Sequence, residues 1–183
     1  MLIATWNVNS IKQRAEHVAR FLREQQPDVL CLQELKSLDA AVDIAEYEAL
    51  GYNVALHGQR AFNGVAILSR HPLSDIRRGL PEVENDDQSR YIEAVVSRPG
   101  GGVVRVASIY LPNGNPAGTA KYAYKLAWME RLAVHVTALL RLEEPLVLAG
   151  DYNVIPDDRD VYEPAAWLED ALFRPETRRA FHR

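Results

Sequence analysis

The chain has 183 residues, of which 48% are hydrophobic and 25% charged, a composition typical of one globular domain with a sizeable core. Its 21 basic and 25 acidic side chains give a formal charge of −4, which excludes a uniformly basic nucleic-acid-binding surface but is compatible with a local basic patch. The N-terminus carries no basic leader and no apolar run reaches the length of a membrane span, so we expect a cytoplasmic protein with no membrane partner. The single cysteine, Cys31, has no disulfide partner and is expected to pack as a small hydrophobic residue.

The N-terminal part of the sequence alternates strand and helix. Leu2–Trp6 predicts a first strand. Ser10 followed by Gln13 is a capping-box pattern, and the apolar repeat after it predicts a helix that ends before Pro27. The uninterrupted apolar run DVLCLQ predicts a strand buried on both faces. A shorter helix is predicted at about residues 39–48.

The middle of the chain changes to closely spaced strands. The segments YNVAL, GVAILS, RYIEAVV and VVRVASIYL all predict strands, with little room for helices between them. They indicate antiparallel hairpins, with RPGGG at Arg98–Gly102 as one of the turns. The acidic run at 82–87 is predicted to be an exposed loop.

The C-terminal part returns to alternating helix and strand. The longest helix is predicted at about Thr119–Leu142, followed by the strand PLVLAG and by PETRRAFHR as the start of a last helix. His17 and His135 lie on predicted helices and are expected at the surface. The apolar stripe of the longest helix is predicted to consist of Tyr122, Leu126, Met129, Ala133, Val136 and Leu140. Together these segments predict an α/β protein with mixed sheets.

Four predicted strands end in polar, oxygen-bearing side chains. Ligands of open α/β sheets collect at the carboxyl ends of the strands, so four such ends together indicate a site. Each end taken alone also has a structural explanation: a turn, a solvated strand end, or a core tyrosine with its hydroxyl at the edge. The residues are Asn7, Gln33–Glu34, Tyr110 with Asn113, and Asp151 with Asn153.

The chemistry of this set favours a hard divalent cation and a phosphate. Glu34 and Asp151 offer carboxylate oxygens, and no cluster of cysteine or histidine favours zinc, so magnesium or manganese is the better match. Such an ion polarises a phosphoryl oxygen and stabilises a leaving oxygen, while a carboxylate orients or deprotonates water. Donors such as Asn153 and Tyr110 can stabilise charge on the non-bridging oxygens.

Five motifs in order resemble the exonuclease III family, a branch of the endonuclease/exonuclease/phosphatase superfamily. They are TWNVNSIKQR, PDVLCLQELK, NGVAILSR, SIYLPNG and AGDYNVIPDDRDVY, and the resemblance runs from Met1 to about Phe173. It implies one domain over 1–183 with a four-layer α/β sandwich fold, in which two mixed β-sheets lie face to face with helices outside. A monomer is expected.

The resemblance also implies an activity. Members of this family hydrolyse DNA phosphodiesters with a divalent metal, Mg²⁺ by preference and Mn²⁺ as the alternative. They cut 5′ to abasic sites and trim or unblock the 3′ ends of duplex DNA. The matching positions assign the metal to Asn7, Glu34, Asp151 and Asn153, catalysis to Tyr110, Asp151 and Asn153, and DNA contacts to Arg90 and Asn113. Lys121 and Lys125 are added as contacts to backbone phosphate on charge alone.

One family feature is not found in the sequence. The family has an Asp-His pair after a late strand, and no such motif precedes Arg183; His182 lacks its surroundings. The resemblance therefore implies that the C-terminal strands of the family fold are missing and that this chain is inactive alone. Two alternatives stay open: another phosphodiesterase of the superfamily, acting on RNA or a phosphorylated small molecule, and a catalytically silent DNA-binding fragment.

Overall fold

The computed structural model describes residues 1–81 and 86–183, so most of the predicted acidic loop at 82–87 lies outside the described residues. The chain divides into two compact units. Unit 1 contains Met1–Tyr110 and Leu142–Asp151, and unit 2 contains Leu111–Arg141 and Tyr152–Arg183. Within the described ranges, no helix has the length and apolar character needed to cross a membrane.

Unit 1 is built from two mixed sheets. The strand order is β1-β2-β4-β3 in one sheet and β5-β6-β7-β8 in the other. β1 runs parallel to β2 and β7 runs parallel to β8, whereas the other neighbouring strands are antiparallel. The elements are β1 (Ile3–Asn7), α1 (Ile11–Gln25), β2 (Val29–Gln33), α2 (Ile44–Ala49), β3 (Asn53–His57), β4 (Val65–Ser69), β5 (Leu73–Arg78), β6 (Tyr91–Ser97), β7 (Val103–Tyr110) and β8 (Leu146–Asp151).

The two sheets pack face to face through an apolar interface. Cys31 and Ile67 of the first sheet meet Ala94 and Val106 of the second, and all four are fully buried. The opposite face of the first sheet is covered by α1 and α2, through side chains such as Leu22 and Tyr47. The predicted arrangement of two mixed sheets face to face with helices outside is therefore confirmed. Cys31 is fully buried, which confirms its predicted packing as a small hydrophobic residue, and this burial raises the pKa of its thiol to about 12.

The local signals at the first helix and at the turn between β6 and β7 are confirmed. The Ser10 side chain accepts a hydrogen bond from the Gln13 backbone N–H at 3.5 Å, and α1 ends at Gln25, with Gln26 as its C-cap just before Pro27. Each residue of β2 is buried, as its uninterrupted apolar run predicts. In the turn between β6 and β7, the Arg98 N–H donates to the Gly102 carbonyl at 2.9 Å.

Two features of unit 1 differ from the sequence predictions. The helix at 39–48 is interrupted, with a 3₁₀ helix at Asp39–Ala41 before α2 begins at Ile44. β5 was not predicted, because its residues LSDIRR are mostly polar and exposed, as an edge strand tolerates. The strand predicted at PLVLAG is present as β8, which is the other edge of its sheet and whose side chains are only partly buried.

Unit 2 contains α3 (Ala120–Leu140), α4 (Pro175–His182) and two 3₁₀ helices, at Asp158–Asp160 and Pro164–Trp167. The two α-helices are joined by a hydrogen bond of 3.1 Å between the Tyr122 and Thr177 hydroxyl groups. Both predicted helices are therefore present.

The predicted apolar stripe of α3 was partly wrong. Ala133 and Leu140 are exposed, and the buried face includes two polar residues. His135, expected at the surface, is only 6% exposed, whereas His17 on α1 is exposed as predicted. Apolar residues lie on most faces of α3, so hydropathy alone does not identify the face that is buried. The predicted stripe is therefore rotated around the helix axis relative to the buried face. The buried residues are Tyr122, Lys125, Trp128, Met129, Leu132, His135 and Leu139.

Candidate active site

The strand pairing of unit 1 brings four of the predicted site residues to one end of the two sheets. Asn7 ends β1 beside Gln33 of its parallel neighbour β2, and Glu34 follows directly. Tyr110 ends β7 beside Asp151 at the end of the parallel strand β8. Because β1 also lies against β8, these carboxyl ends meet across the two sheets. This is where α/β proteins place ligands.

Asn7 joins the two carboxylates of the site. Its Nδ2 donates to Glu34 Oε1 at 2.8 Å and to Asp151 Oδ2 at 2.9 Å. Its Oδ1 accepts a hydrogen bond from the Asn9 backbone N–H at 3.0 Å, so Asn7 also supports the turn that leads into α1. Asn7 therefore positions both carboxylates through its amide donor. Its assignment as an oxygen ligand of a metal stays a prediction.

Glu34 is held as a charged group in a strained backbone position. Its φ of 55° lies in the left-handed region, which is unusual for glutamate and common at functional sites. Lys36 Nζ lies 2.9 Å from Glu34 Oε2 and also donates to Asn9 Oδ1. Burial raises the pKa of Glu34, but hydrogen bonds from Lys36, Asn7 and Tyr110 outweigh it and hold the pKa below its usual value. The carboxylate is therefore ionised at neutral pH. Lys36 was not among the predicted site residues. Its position two residues after Glu34, in the segment ELK, is a sequence signal for a cation beside that carboxylate.

Tyr110 is a protonated hydrogen-bond donor at the same end of the sheets. Burial, followed by the nearby charge of Glu34, raises the pKa of Tyr110 well above its usual value. The Arg90 guanidinium lies 5.0 Å from the centre of the Tyr110 ring and donates to the Tyr110 carbonyl at 3.3 Å. Arg90 Nε donates to Gln88 Oε1 at 2.7 Å, so this predicted DNA contact is already held in a fixed orientation.

A glycine places Asp151 beside Tyr110. A Cβ atom at Gly150 would lie 2.0 Å from the Ile109 carbonyl oxygen, closer than any real contact. Only glycine therefore lets β8 approach β7 at this point. The residue after the glycine is Asp151, whose carboxylate reaches the Asn7 amide.

The other predicted residues lie in unit 2, where the two asparagines contact each other. Asn113 Nδ2 lies 3.4 Å from Asn153 Oδ1, and Asn153 Nδ2 donates to the Leu111 carbonyl at 2.8 Å. Asn153 has a φ of 46°, a conformation that asparagine tolerates better than most residues. The structure thus joins Asn113 and Asn153 to each other within unit 2.

Lys125 was wrongly predicted as a contact to backbone phosphate. Its side chain is fully buried, and its ammonium donates to the Asn113 carbonyl at 3.1 Å and to the Asn153 carbonyl at 2.5 Å. It therefore anchors the two asparagine segments. Lys121, one turn earlier on α3, is exposed, as a phosphate contact requires.

The donor set suits a hard divalent cation. Glu34 and Asp151 contribute carboxylates, and the remaining polar groups around them are an amide, a phenol and an ammonium. Across residues 1–81 and 86–183 there is no cluster of three or more His, Cys, Asp or Glu side chains that could enclose a metal. A cation bound by one or two carboxylates, with water and substrate oxygens as its other ligands, fits this set, and magnesium commonly binds in this way.

Comparison with known proteins assigns the chain to a family. The sequence profile of the Endonuclease/Exonuclease/phosphatase family matches residues 4–182. The chain is 32% identical over 162 residues to exodeoxyribonuclease III of Haemophilus influenzae, a match that covers 88% of this chain and 60% of that relative.

Solved structures give the same result. An AP endonuclease from Archaeoglobus fulgidus superposes with a TM-score of 0.92 at 36% identity, over 100% of this chain and 69% of that one. The 3′ phosphatase NExo from Neisseria, bound to a product DNA hairpin, superposes with a TM-score of 0.94 at 37% identity and the same coverage. The predicted resemblance to exonuclease III is confirmed, and this chain belongs to the endonuclease/exonuclease/phosphatase family.

Proposed function

We propose that this protein is a divalent-metal-dependent DNA phosphodiesterase of base-excision repair. It cleaves duplex DNA 5′ to abasic sites and trims 3′ ends. The observation that carries the proposal is the Asn7 amide that joins the carboxylates of Glu34 and Asp151, with Tyr110 hydrogen-bonded to Glu34. The names of the relatives, an exodeoxyribonuclease, an AP endonuclease and a 3′ phosphatase bound to DNA, support the substrate. A monomeric state and a cytoplasmic location belong to the same proposal.

The metal of the proposal is Mg²⁺, with Mn²⁺ as a substitute, held by Glu34 and Asp151. When bound it polarises the phosphoryl oxygen and stabilises the leaving oxygen. Glu34 is ready for this task because its carboxylate is already ionised and is oriented by Asn7 and Lys36. Keeping these groups fixed before substrate arrives avoids their reorganisation during the reaction.

The chain's own residues supply the remaining steps of hydrolysis. The Asp151 carboxylate lies at the strand end and accepts or returns a proton of the attacking water or the leaving group. The Tyr110 hydroxyl stays protonated and donates a hydrogen bond to a phosphate oxygen. We assign Asn153 to phosphate orientation from its motif, and Arg90, Asn113 and Lys121 to contacts with DNA.

A substrate panel tests the proposal. The chain spans 60% of the length of the Haemophilus relative, so the assay includes both the 183-residue chain and the protein encoded by the complete reading frame. The substrates are an abasic-site duplex, the same duplex without the lesion, an RNA duplex and inositol phosphates, each with Mg²⁺ or with EDTA. We expect Mg²⁺-dependent cleavage 5′ to the abasic site by the complete protein and much slower cleavage by the 183-residue chain.

Two variants make the panel specific. Glu34→Gln should abolish most of the cleavage, whereas Glu24→Gln, on an exposed turn of α1 with a 4.0 Å ion pair to Arg20, should leave it unchanged. Hydrolysis of RNA or inositol phosphates in preference to DNA would replace the substrate assignment. Salt-sensitive binding of duplex DNA by the complete protein without any cleavage would instead support a catalytically silent binding protein.

A further inference from the structure

The interface between the two sheets of unit 1 changes from apolar to polar in the last layer before the active site. On β2, Val29 and Cys31 face the other sheet, and the next residue on that face is Gln33. On β7, Val106 faces the first sheet and the next residue on that face is Ser108. Gln33 is 1% exposed and Ser108 is 0% exposed, so both polar side chains are enclosed in the core.

Hydrogen bonds connect these two residues across the sheets. Gln33 Nε2 donates to Ser108 Oγ at 3.1 Å and to Thr5 Oγ1 on β1 at 3.1 Å. The Ser108 hydroxyl in turn donates to the Leu32 carbonyl at 2.9 Å. One hydroxyl on the second sheet therefore contacts both a side chain and the backbone of β2. This group of Thr5, Gln33 and Ser108 is the inter-sheet clamp.

The inter-sheet clamp restricts the relative position of the two sheets more narrowly than apolar packing does. Hydrophobic attraction is non-directional and depends on buried area, so two apolar sheet faces tolerate small shifts against each other. Hydrogen bonds require a narrow range of distances and angles. If the sheets shifted, a buried amide and a buried hydroxyl would lose their partners, and an unsatisfied buried polar group is costly. The clamp therefore favours one relative position of the sheets.

The location of the clamp links that position to the active site. Gln33 immediately precedes Glu34, and Ser108 lies two residues before Tyr110 on the same face of β7. The contacts between Asn7 and Asp151 and between Tyr110 and Glu34 both cross from one sheet to the other. A shift of the sheets would lengthen both contacts at once.

We propose that Gln33 and Ser108 are positioning residues, which fix the two sheets so that the carboxylates of Glu34 and Asp151 converge. Their effect on catalysis rests on the function proposed above, whereas their effect on geometry does not. They touch neither substrate nor metal. Their role is to hold the oxygen ligands of one sheet at the correct distance from those of the other.

A pair of serine variants tests the proposal. Ser108→Ala removes the clamp hydroxyl. Ser69→Ala is the matched control, because Ser69 is also 0% exposed and its Oγ accepts the His71 N–H at 3.0 Å, but it lies beside Val29 at the opposite end of β2. Both variants lose a buried hydroxyl, so both should lower the thermal midpoint of unfolding. A purely structural role predicts no further difference between them.

The deciding measurements are metal affinity and turnover. Mn²⁺ binding followed by electron paramagnetic resonance should weaken about tenfold in Ser108→Ala, the scale seen when residues that orient metal ligands are lost. On abasic-site DNA, kcat of the complete protein should fall by a similar factor with KM nearly unchanged. Ser69→Ala should stay within twofold of the wild type in both. Wild-type values in Ser108→Ala would overturn the proposal.

A second measurement does not depend on function. The Asn7 side-chain amide protons, followed in ¹⁵N spectra and assigned by their loss in Asn7→Ala, should exchange slowly with solvent in the wild type and in Ser69→Ala. They should exchange at least about tenfold faster in Ser108→Ala, and equal exchange in all three proteins would overturn the clamp. If the wild-type protein binds no Mn²⁺, the proposed function is contradicted. The exchange rate of the Asn7 amide protons then still tests whether the clamp fixes the position of the sheets.

Discussion

Replacing Asn7 with leucine tests whether its amide holds the carboxylates of Glu34 and Asp151 together. Leucine keeps the number and branching of the side-chain heavy atoms but cannot donate the hydrogen bonds of 2.8 Å to Glu34 and 2.9 Å to Asp151. The variant therefore removes the donor that joins the two carboxylates. It should be less stable than the wild type at neutral pH in the absence of metal.

The size of the effect follows from the geometry. The two acceptor oxygens lie at most about 6 Å apart, where two unit charges repel by about 3 kcal/mol at an effective dielectric constant of about 20. Lys36 still neutralises part of this charge, and both carboxylates are partly exposed. With the lost hydrogen bonds included, we expect a decrease of about 2 to 4 kcal/mol in the free energy of unfolding.

The pH dependence of this cost distinguishes the explanation from a general loss of packing. The pKa of Glu34 is lowered in the folded protein, so its contribution to stability is present above the unfolded value of about 4.3 and is lost as pH falls through the folded value. The cost of Asn7→Leu should therefore be full at pH 7 and shrink below about pH 4.

The assay is urea unfolding in EDTA across this pH range, with Asn53→Leu as control. Asn53 Nδ2 also makes two hydrogen bonds, each of 3.1 Å, but to the backbone carbonyls of Ser69 and His71, which do not titrate. Its cost should not depend on pH. If Asn7→Leu also costs the same at pH 7 and pH 4, the amide does not stabilise the ionised Glu34 carboxylate and the reasoning is refuted.

Three further predictions concern the surroundings of the site. Gly150→Ala should lower the free energy of unfolding by about 3 kcal/mol or more, because the added Cβ would lie 2.0 Å from the Ile109 carbonyl, and urea unfolding measures this. Burial holds the pKa of His57 below its usual value, so the contribution of neutral His57 to stability is present above about pH 6.5 and is lost as pH falls. The His57→Gln variant should therefore show a smaller decline of Tm between about pH 7 and pH 5. Lys125→Met removes both hydrogen bonds to buried carbonyls and should lower the free energy of unfolding by about 2 to 4 kcal/mol. The exposed Lys121 is the comparison: Lys121→Met should leave Tm unchanged but weaken duplex DNA binding at low salt, measured by fluorescence anisotropy.

Features of the fold that depend on neighbours in the sequence were predictable. The Ser10 cap and the buried run of β2 are local signals, and both are confirmed. The buried face of α3 was not predictable in the same way. Lys125 is buried because its ammonium donates hydrogen bonds to the carbonyls of Asn113 and Asn153, and these acceptors are 12 and 28 residues away in the sequence. No hydropathy pattern contains that information.

In the active site, too, the positions of the residues were predictable from the sequence but their contacts were not. Polar residues at strand ends predicted that Asn7, Glu34, Tyr110 and Asp151 lie at one end of the sheets, because parallel neighbours end on the same side. Their hydrogen bonds depend on how one sheet sits on the other. The sequence therefore contained no sign that the Asn7 amide donates to both carboxylates.

The most direct test of the central claim is a Mg²⁺ titration of abasic-site cleavage by the complete protein and its Glu34→Gln variant. The substitution removes the charge of Glu34 and keeps its shape. We predict saturable Mg²⁺ dependence in the wild type and a turnover lower by about a thousandfold in the variant, equivalent to about 4 kcal/mol of lost stabilisation of the transition state. DNA affinity in EDTA should change little. An unchanged Mg²⁺ titration and turnover in Glu34→Gln would contradict the assignment of the metal to this carboxylate.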